Sequence, residues 1–197
     1  MAHTILTGLH APALVSDLEI DAAAGKAAPK ACSVDKLKSS ANAVEFDRTD
    51  EALPVPVSRD WLPLLPYVDQ LKDLNWYGLK VTGLSAGKYH LQIDGKDVGS
   101  FNSEQLQEGV NLGNLASGPI FDQGHKVMNA INSKNQIVHQ RFRSVVMFQA
   151  PDWLSDVVAE RKPEELARRM EQINDRQAAI YKMVQPAAHH FELRRAN

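Results

Sequence analysis

The sequence predicts an α+β protein: a β-rich layer of hairpins, compatible with a small sandwich, followed by long helices forming a helical hairpin. Three observations carry this. Up to residue 118 the apolar residues come in short alternating runs punctuated by Gly and Pro, the period-2 mark of half-buried strands. Asp94-Gly95 separates two such runs, a strong hairpin signal. From Pro119 the apolar spacing changes to steps of three and four, the mark of a helix face.

Taken in order, residues 1–12 read as a short helix with an apolar face of Ile5, Leu6 and Leu9, stopped by Pro12 and preceded by no N-cap. Leu14, Val15, Leu18 and Ile20 then alternate with polar residues as a strand. Residues 22–31 are expected to be a loop, 35–40 one helical turn, and 43–48 a second strand through Val44 and Phe46. Pro54, Pro56, Pro63 and Pro66 exclude a regular helix from 50–66. Residues 77–82, 88–93 and 96–101 are strands, the first two joined through a turn at 85–87 and the last two through Asp94-Gly95. Ser103 is the expected N-cap of a short turn over 103–108, and Val110, Leu112 and Leu115 close the layer, whose span is 13–117.

The helical region spans 118–197. Its first stripe is Ile120, Gly124, Met128, Ile131, Asn135, Val138, Phe142 and Val145. A restart is expected at Pro151-Asp152-Trp153, with Asp152 capping, and a last helix with Pro163 in its first turn. That helix carries Leu166, Met170, Ile173, Gln177, Ile180 and Val184 and ends at Pro186.

The 197 residues carry a formal charge of −2, with 44% apolar content, enough to bury a core. That balance excludes a polycationic binder of nucleic acid or anionic membranes, and no apolar run is long enough for a spanning helix. The near-neutrality hides a split, net −5 over 1–118 and +3 over 119–197. Cys32 is the single cysteine, so an intrachain disulfide and a Cys-based zinc site are excluded. The apolar stretch at the start is broken by polar residues and lacks a basic flank, so no secretory signal is legible and the compartment stays unread.

Several residue groups carry potential chemistry, and each has a plainer reading. Gly83-Leu84-Ser85-Ala86-Gly87 spells the G-x-S-x-G of a nucleophile elbow, but the following residues read as a strand where that chemistry needs a helix. Asp122 and His125 have acid–base spacing, yet Asp122 is explained by a helix N-terminus. His189, His190 and Glu192 are metal-ligand types, but neighbouring side chains diverge, and the expectation is an exposed terminal segment. His3, His10, His90 and His139 show no spacing logic. Lys134, His139, Arg141 and Arg143 form a modest basic cluster, read as a solvated face. Asn135 and Gln177 interrupt the two stripes and are expected to meet each other or another buried partner. No phosphate loop occurs, and no catalytic, cofactor or metal residue is assigned.

Three stretches carry a family resemblance. They are residues 1–22, including Gly8-Leu9-His10-Ala11-Pro12; Leu79-Lys80-Val81-Thr82-Gly83-Leu84 with Gly87-Lys88-Tyr89 and Ile93-Asp94-Gly95-Lys96-Asp97-Val98-Gly99-Ser100-Phe101; and Leu106-Gln107-Glu108-Gly109-Val110-Asn111-Leu112. Together they resemble the region that follows the catalytic domain in bacterial SGNH/GDSL hydrolases. The resemblance covers about residues 1–115 well and the helices loosely. It implies a parent serine esterase acting on acyl or acetyl esters without a metal or other cofactor. Residues 1–12 would then be the end of the last helix of an upstream α/β domain, and that domain would be this chain's partner. The family's Gly-Asp-Ser and D-x-x-H-P blocks are missing here: Asn174-Asp175 lacks the glycine block, and Lys126 follows His125 where proline is required. A region inactive alone is therefore expected, with a non-catalytic binding or assembly module as the alternative.

Overall fold

The computed structural model describes residues 2–57, 59–67 and 75–196, so Met1 and the side chain of His3 lie outside the described residues. The fold is α+β, as expected. By compactness the chain divides into two units, residues 1–124 with 185–197, and residues 125–184.

The first unit is a two-sheet sandwich. One sheet has the order β2 (Lys26–Lys30), β1 (Leu14–Asp21), β5 (Trp76–Thr82), β8 (Val110–Asn111), with β1 and β5 parallel. The other is antiparallel throughout, in the order β3 (Cys32–Ser40), β4 (Ala43–Asp50), β9 (His189–Arg195), β6 (Lys88–Ile93), β7 (Lys96–Asn102). Alternation places one row of each strand inside. Leu18, Ile20, Leu79 and Val81 from the first sheet and Val44, Phe46, Tyr89, Leu91, Phe191 and Leu193 from the second share one buried cluster. Phe46 and Phe191 stack at 5.1 Å across β4 and β9.

Several expectations fail in this unit, three of them in its loops and edge strands. Residues 22–31 are not all loop, since β2 forms a sheet edge, where Pro29 is tolerated because an edge strand has an unpaired side. Residues 35–40 extend within β3 as a strand, with Lys36 at a positive φ of 53° in the irregularity between Asp35 and Lys38. The segment 83–87 does not close a hairpin. It carries the chain from β5 in one sheet to β6 in the other, with the Ser85 amide donating to Ala41 O.

The Asp94-Gly95 hairpin forms as expected, both residues at positive φ of 51° and 74°, the requirement of the tight turn that matches strand twist. Against the expectation that the prolines exclude a regular helix from 50–66, the stretch 59–67 coils as a 3₁₀ helix, and the prolines, which lack amide donors, argue only against an α helix. Helix α2 (Ser103–Glu108) begins one residue earlier than expected. Asn102 is its N-cap and takes the Gln105 side chain on its amide, while Ser103 Oγ accepts from the Gly87 amide.

Helix α1 (Ala2–Gly8) leaves Ile5 and Leu6 exposed, as is Leu9 just after it, and the backbone turns away at His10 with positive φ. Helix α3 (Pro119–Arg141) continues as a π-helical turn over Phe142–Val146. After a 3₁₀ turn at Asp152–Leu154, α4 (Ser155–Met183) runs unbroken, so Pro163 lies inside one helix rather than opening a new one. Lys162 Nζ donates to Val146 O and Arg141 Nε to Leu166 O, which ties α4 to the end of α3 within the second unit. Among the described residues no helix is long and apolar enough to cross a membrane.

The largest departure is β9. Residues 189–195, expected as an exposed terminus, form the middle strand of the antiparallel sheet, with Phe191 and Leu193 fully buried. The helical region therefore ends at Met183, and the chain returns to the sandwich.

Candidate functional site

Two polar clusters stand out, one inside the sandwich and one on its surface. On β4 the inward row continues past Val44 and Phe46 to Arg48 and Asp50, which puts an ion pair in the core. Arg48 is fully buried. It donates from Nε to Asp50 Oδ1 at 2.8 Å, from one terminal nitrogen to Gly78 O at 3.0 Å, and from the other to Ser16 Oγ at 2.8 Å. Ser16 donates to Asp50 Oδ1 and the Tyr77 phenol to Oδ2. The guanidinium lies 4.2 Å from the Tyr77 ring centroid. Burial, aided by the Asp50 carboxylate and only partly offset by the Arg48 guanidinium, pushes the Tyr77 phenol well above its ordinary pKa and keeps it a donor. These residues tie the two sheets together. The network has no imidazole, and its groups satisfy one another, so it is structural.

The surface cluster lies on the outward row of β4 and β9. His190 stands opposite Asp47, and Glu192 opposite Glu45. His190 Nδ1 lies 2.6 Å from Asp47 Oδ1, and its Nε2 points between Glu45 Oε1 and Glu192 Oε1, 3.4 Å from each. Two of the remaining oxygens face cations, Asp47 Oδ2 on Lys36 Nζ at 2.8 Å and Glu192 Oε2 on Arg194 at 2.7 Å. The Asp47 hydrogen bond holds the His190 pKa above its ordinary value. The Lys36 and His190 hydrogen bonds hold that of Asp47 below its own.

His189, on the opposite face of β9, places Nδ1 2.7 Å from Asp94 Oδ2, and its buried Nε2 has no partner among the described residues. Asp94 also accepts from the His190 amide. Burial would raise the Asp94 pKa, but the His190 amide and the His189 imidazole outweigh it, and the pKa is lowered. The hairpin turn thus anchors the start of β9.

The other candidates fall apart in space. Ser85 leads into β6, not a helix, and its carbonyl accepts from the Tyr89 phenol. Asp122 Oδ2 lies 3.6 Å from Lys96 Nζ. The basic cluster is split: Lys134 donates to Gln177 Oε1 at 2.8 Å, Arg141 reaches the α4 backbone, and His139 and Arg143 are exposed. Gln177 therefore takes the Lys134 ammonium, and Asn135 is exposed. His90 shares a hydrogen bond with Ser100 across the β6–β7 pair. Cys32 donates to Asp17 O, and burial raises its pKa, which disfavours the thiolate. A small crevice lined by Pro54, Pro56, Leu112, Leu115 and Phe121 is mainly apolar.

The expected divergence of the neighbours His189 and His190 is what the structure shows, but Glu45, which the sequence does not connect with them, joins His190 and Glu192 through the strand register.

No protein-family model and no curated protein matches the chain. The fold is similar to the solved structure of BT4096, described as a gut microbial diltiazem-metabolizing enzyme, with a TM-score of 0.72 and 21% sequence identity. The similarity covers 92% of this chain and 50% of that one, so this chain spans about half the length of the protein it matches.

Proposed function

We propose that this chain is the C-terminal region of an SGNH/GDSL-type serine ester hydrolase, inactive alone, whose partner is the α/β domain carrying the triad. The observation that supports a region of a larger protein is the similarity in fold of nearly the whole chain to half of a longer enzyme. The local motifs resembling that family, and Ser85 leading into a strand, agree with it. The exposed Ile5 and Leu6 of α1, with Leu9 just after it, offer apolar surface for the catalytic domain.

The test has two arms. The purified chain should leave a chromogenic short-chain ester unhydrolysed, with Ser85→Ala indistinguishable from it. The DNA preceding its first codon should encode Gly-Asp-Ser and D-x-x-H-P blocks within a few hundred codons, and the longer product should hydrolyse the ester. Hydrolysis by the chain that is lost in Ser85→Ala, or absence of both blocks upstream, overturns the proposal. The alternative, a stand-alone binding or assembly module, is favoured by the exposed Phe142, Met147, Phe148 and Trp153 of the helical unit. A stable, monodisperse chain with no coding blocks upstream would count for it over the first reading.

A further inference from the structure

Two acidic residues directly opposite on neighbouring strands repel, and a sheet normally avoids the arrangement. Glu45 and Glu192 are nevertheless paired in register on two inner strands of the five-stranded sheet. His190 Nε2 points between them. The geometry of this nitrogen is not that of a hydrogen bond to either carboxylate: both oxygens are 3.4 Å away, whereas Nδ1 is 2.6 Å from Asp47. Ligands around a tetrahedral ion at about 2.0–2.1 Å are separated from each other by about 3.3 Å. The Nε2-to-oxygen distances match that edge, and one ligand atom from each of Glu45, His190 and Glu192 lies within 4.8 Å of the others.

We propose that Glu45, His190 and Glu192 form a binding site for a zinc-like divalent transition-metal ion, with Asp47 positioning the imidazole. The donor set is one imidazole and two carboxylates, which suits zinc and its neighbours and not calcium or magnesium, which take oxygen alone. The supporting shell is in place. A carboxylate on the far nitrogen of a ligating imidazole fixes its tautomer and orientation, and Asp47 does this for His190. Arg194 holds Glu192 Oε2 and leaves Oε1 to the ion. Lys38, mostly exposed and 3.8 Å from Glu45 Oε1, is the cation the ion displaces. Three protein ligands leave a fourth position for water. Binding requires a neutral imidazole, so where His190 is protonated the ion replaces the proton on Nε2, which goes to solvent. The site is independent of the ester-hydrolase reading.

The test is titration of the intact, chelator-treated chain with zinc chloride by calorimetry and by competition with a chromogenic chelator. One equivalent should bind, with affinity falling as pH is lowered and protons released in proportion. His190→Ala should weaken binding by well over tenfold, and Asp47→Asn by about 10–100-fold. The double variant Glu45→Gln/Glu192→Gln keeps side-chain size on an outward face, so it serves if His190→Ala does not fold; it too should lose the site. Absence of saturable one-equivalent binding overturns the proposal. So does unchanged affinity in folded His190→Ala or in the double variant, or equal affinity for magnesium.

Discussion

Arg48→Met keeps the length of the side chain and removes its charge and all its donors. The substitution leaves the Asp50 carboxylate, 5% exposed, with two hydroxyl donors and no cation. Removing one partner of a buried pair costs about 3–5 kcal/mol, because the other charge stays buried and uncompensated. The stacking on Tyr77 adds about 1 kcal/mol. A loss of about 4–6 kcal/mol is expected, and at roughly 2–4 °C per kcal/mol for a chain of this size the melting point should fall by about 8–24 °C. Urea unfolding followed by tryptophan fluorescence, with Trp76 on β5, and by far-ultraviolet circular dichroism measures it. Replacing the network whole, as Ser16→Ala, Arg48→Met, Asp50→Leu and Tyr77→Phe together, should restore most of the loss, since apolar replacements of buried ion pairs are often neutral. A cost below about 1 kcal/mol for Arg48→Met, the range of an exposed pair, would refute the reasoning. So would a fourfold variant no more stable than the single one.

The remaining predictions concern β9 and the helical unit. The raised pKa of His190 gives a stability contribution that is complete below the unfolded value of about 6.5 and lost as pH rises through the folded value. In chelator-containing buffer the urea midpoint should therefore fall on going from pH 5.5 to 8.5, and His190→Gln should remove that part of the fall; an unchanged slope would contradict it. Deleting residues 187–197 should unfold the sandwich, seen as loss of amide dispersion in a proton–nitrogen spectrum, because β4 and β6 lose the strand between them. Replacing residues 125–184 by a short Gly/Ser linker should leave the sandwich folded, since Gln123 Nε2 already donates to Gln185 O at 2.9 Å. An unfolded product would show that the sandwich depends on the helices.

What was legible in the sequence is what local pattern encodes. Residues 88–102 announced a hairpin because alternation and the Asp94-Gly95 turn agree, and α3 because its spacing is helical throughout its length. β2 and β3 were obscured because edge strands carry Pro29, Lys36 and Lys38 where inner strands carry apolar residues. β9 offers only Phe191 and Leu193 as an inward row, too few to separate a strand from a polar tail. Arg48 and Asp50 continue the inward row of β4, but a charged residue there signals burial only when its partners on β1 and β5 are known. The same applies to the surface cluster, because Glu45 and His190 meet only through the β4–β9 register.

The position of β9 also sets the order of events in synthesis. Asp47 and His190, neighbours in the finished sheet, are 143 residues apart in the chain. As translation proceeds from the N-terminus, β3 with β4 and β6 with β7 leave the ribosome as two separate hairpins, and the inner edges of β4 and β6 stay unpaired. The helical unit emerges before the strand that joins them. Throughout that interval the nascent chain displays two open strand edges and the apolar faces behind them, a state that favours chaperone capture and pairing between chains. Closure of the sheet is thus a late, long-range step, and the folding rate should follow this separation rather than the speed with which either hairpin or either helix forms.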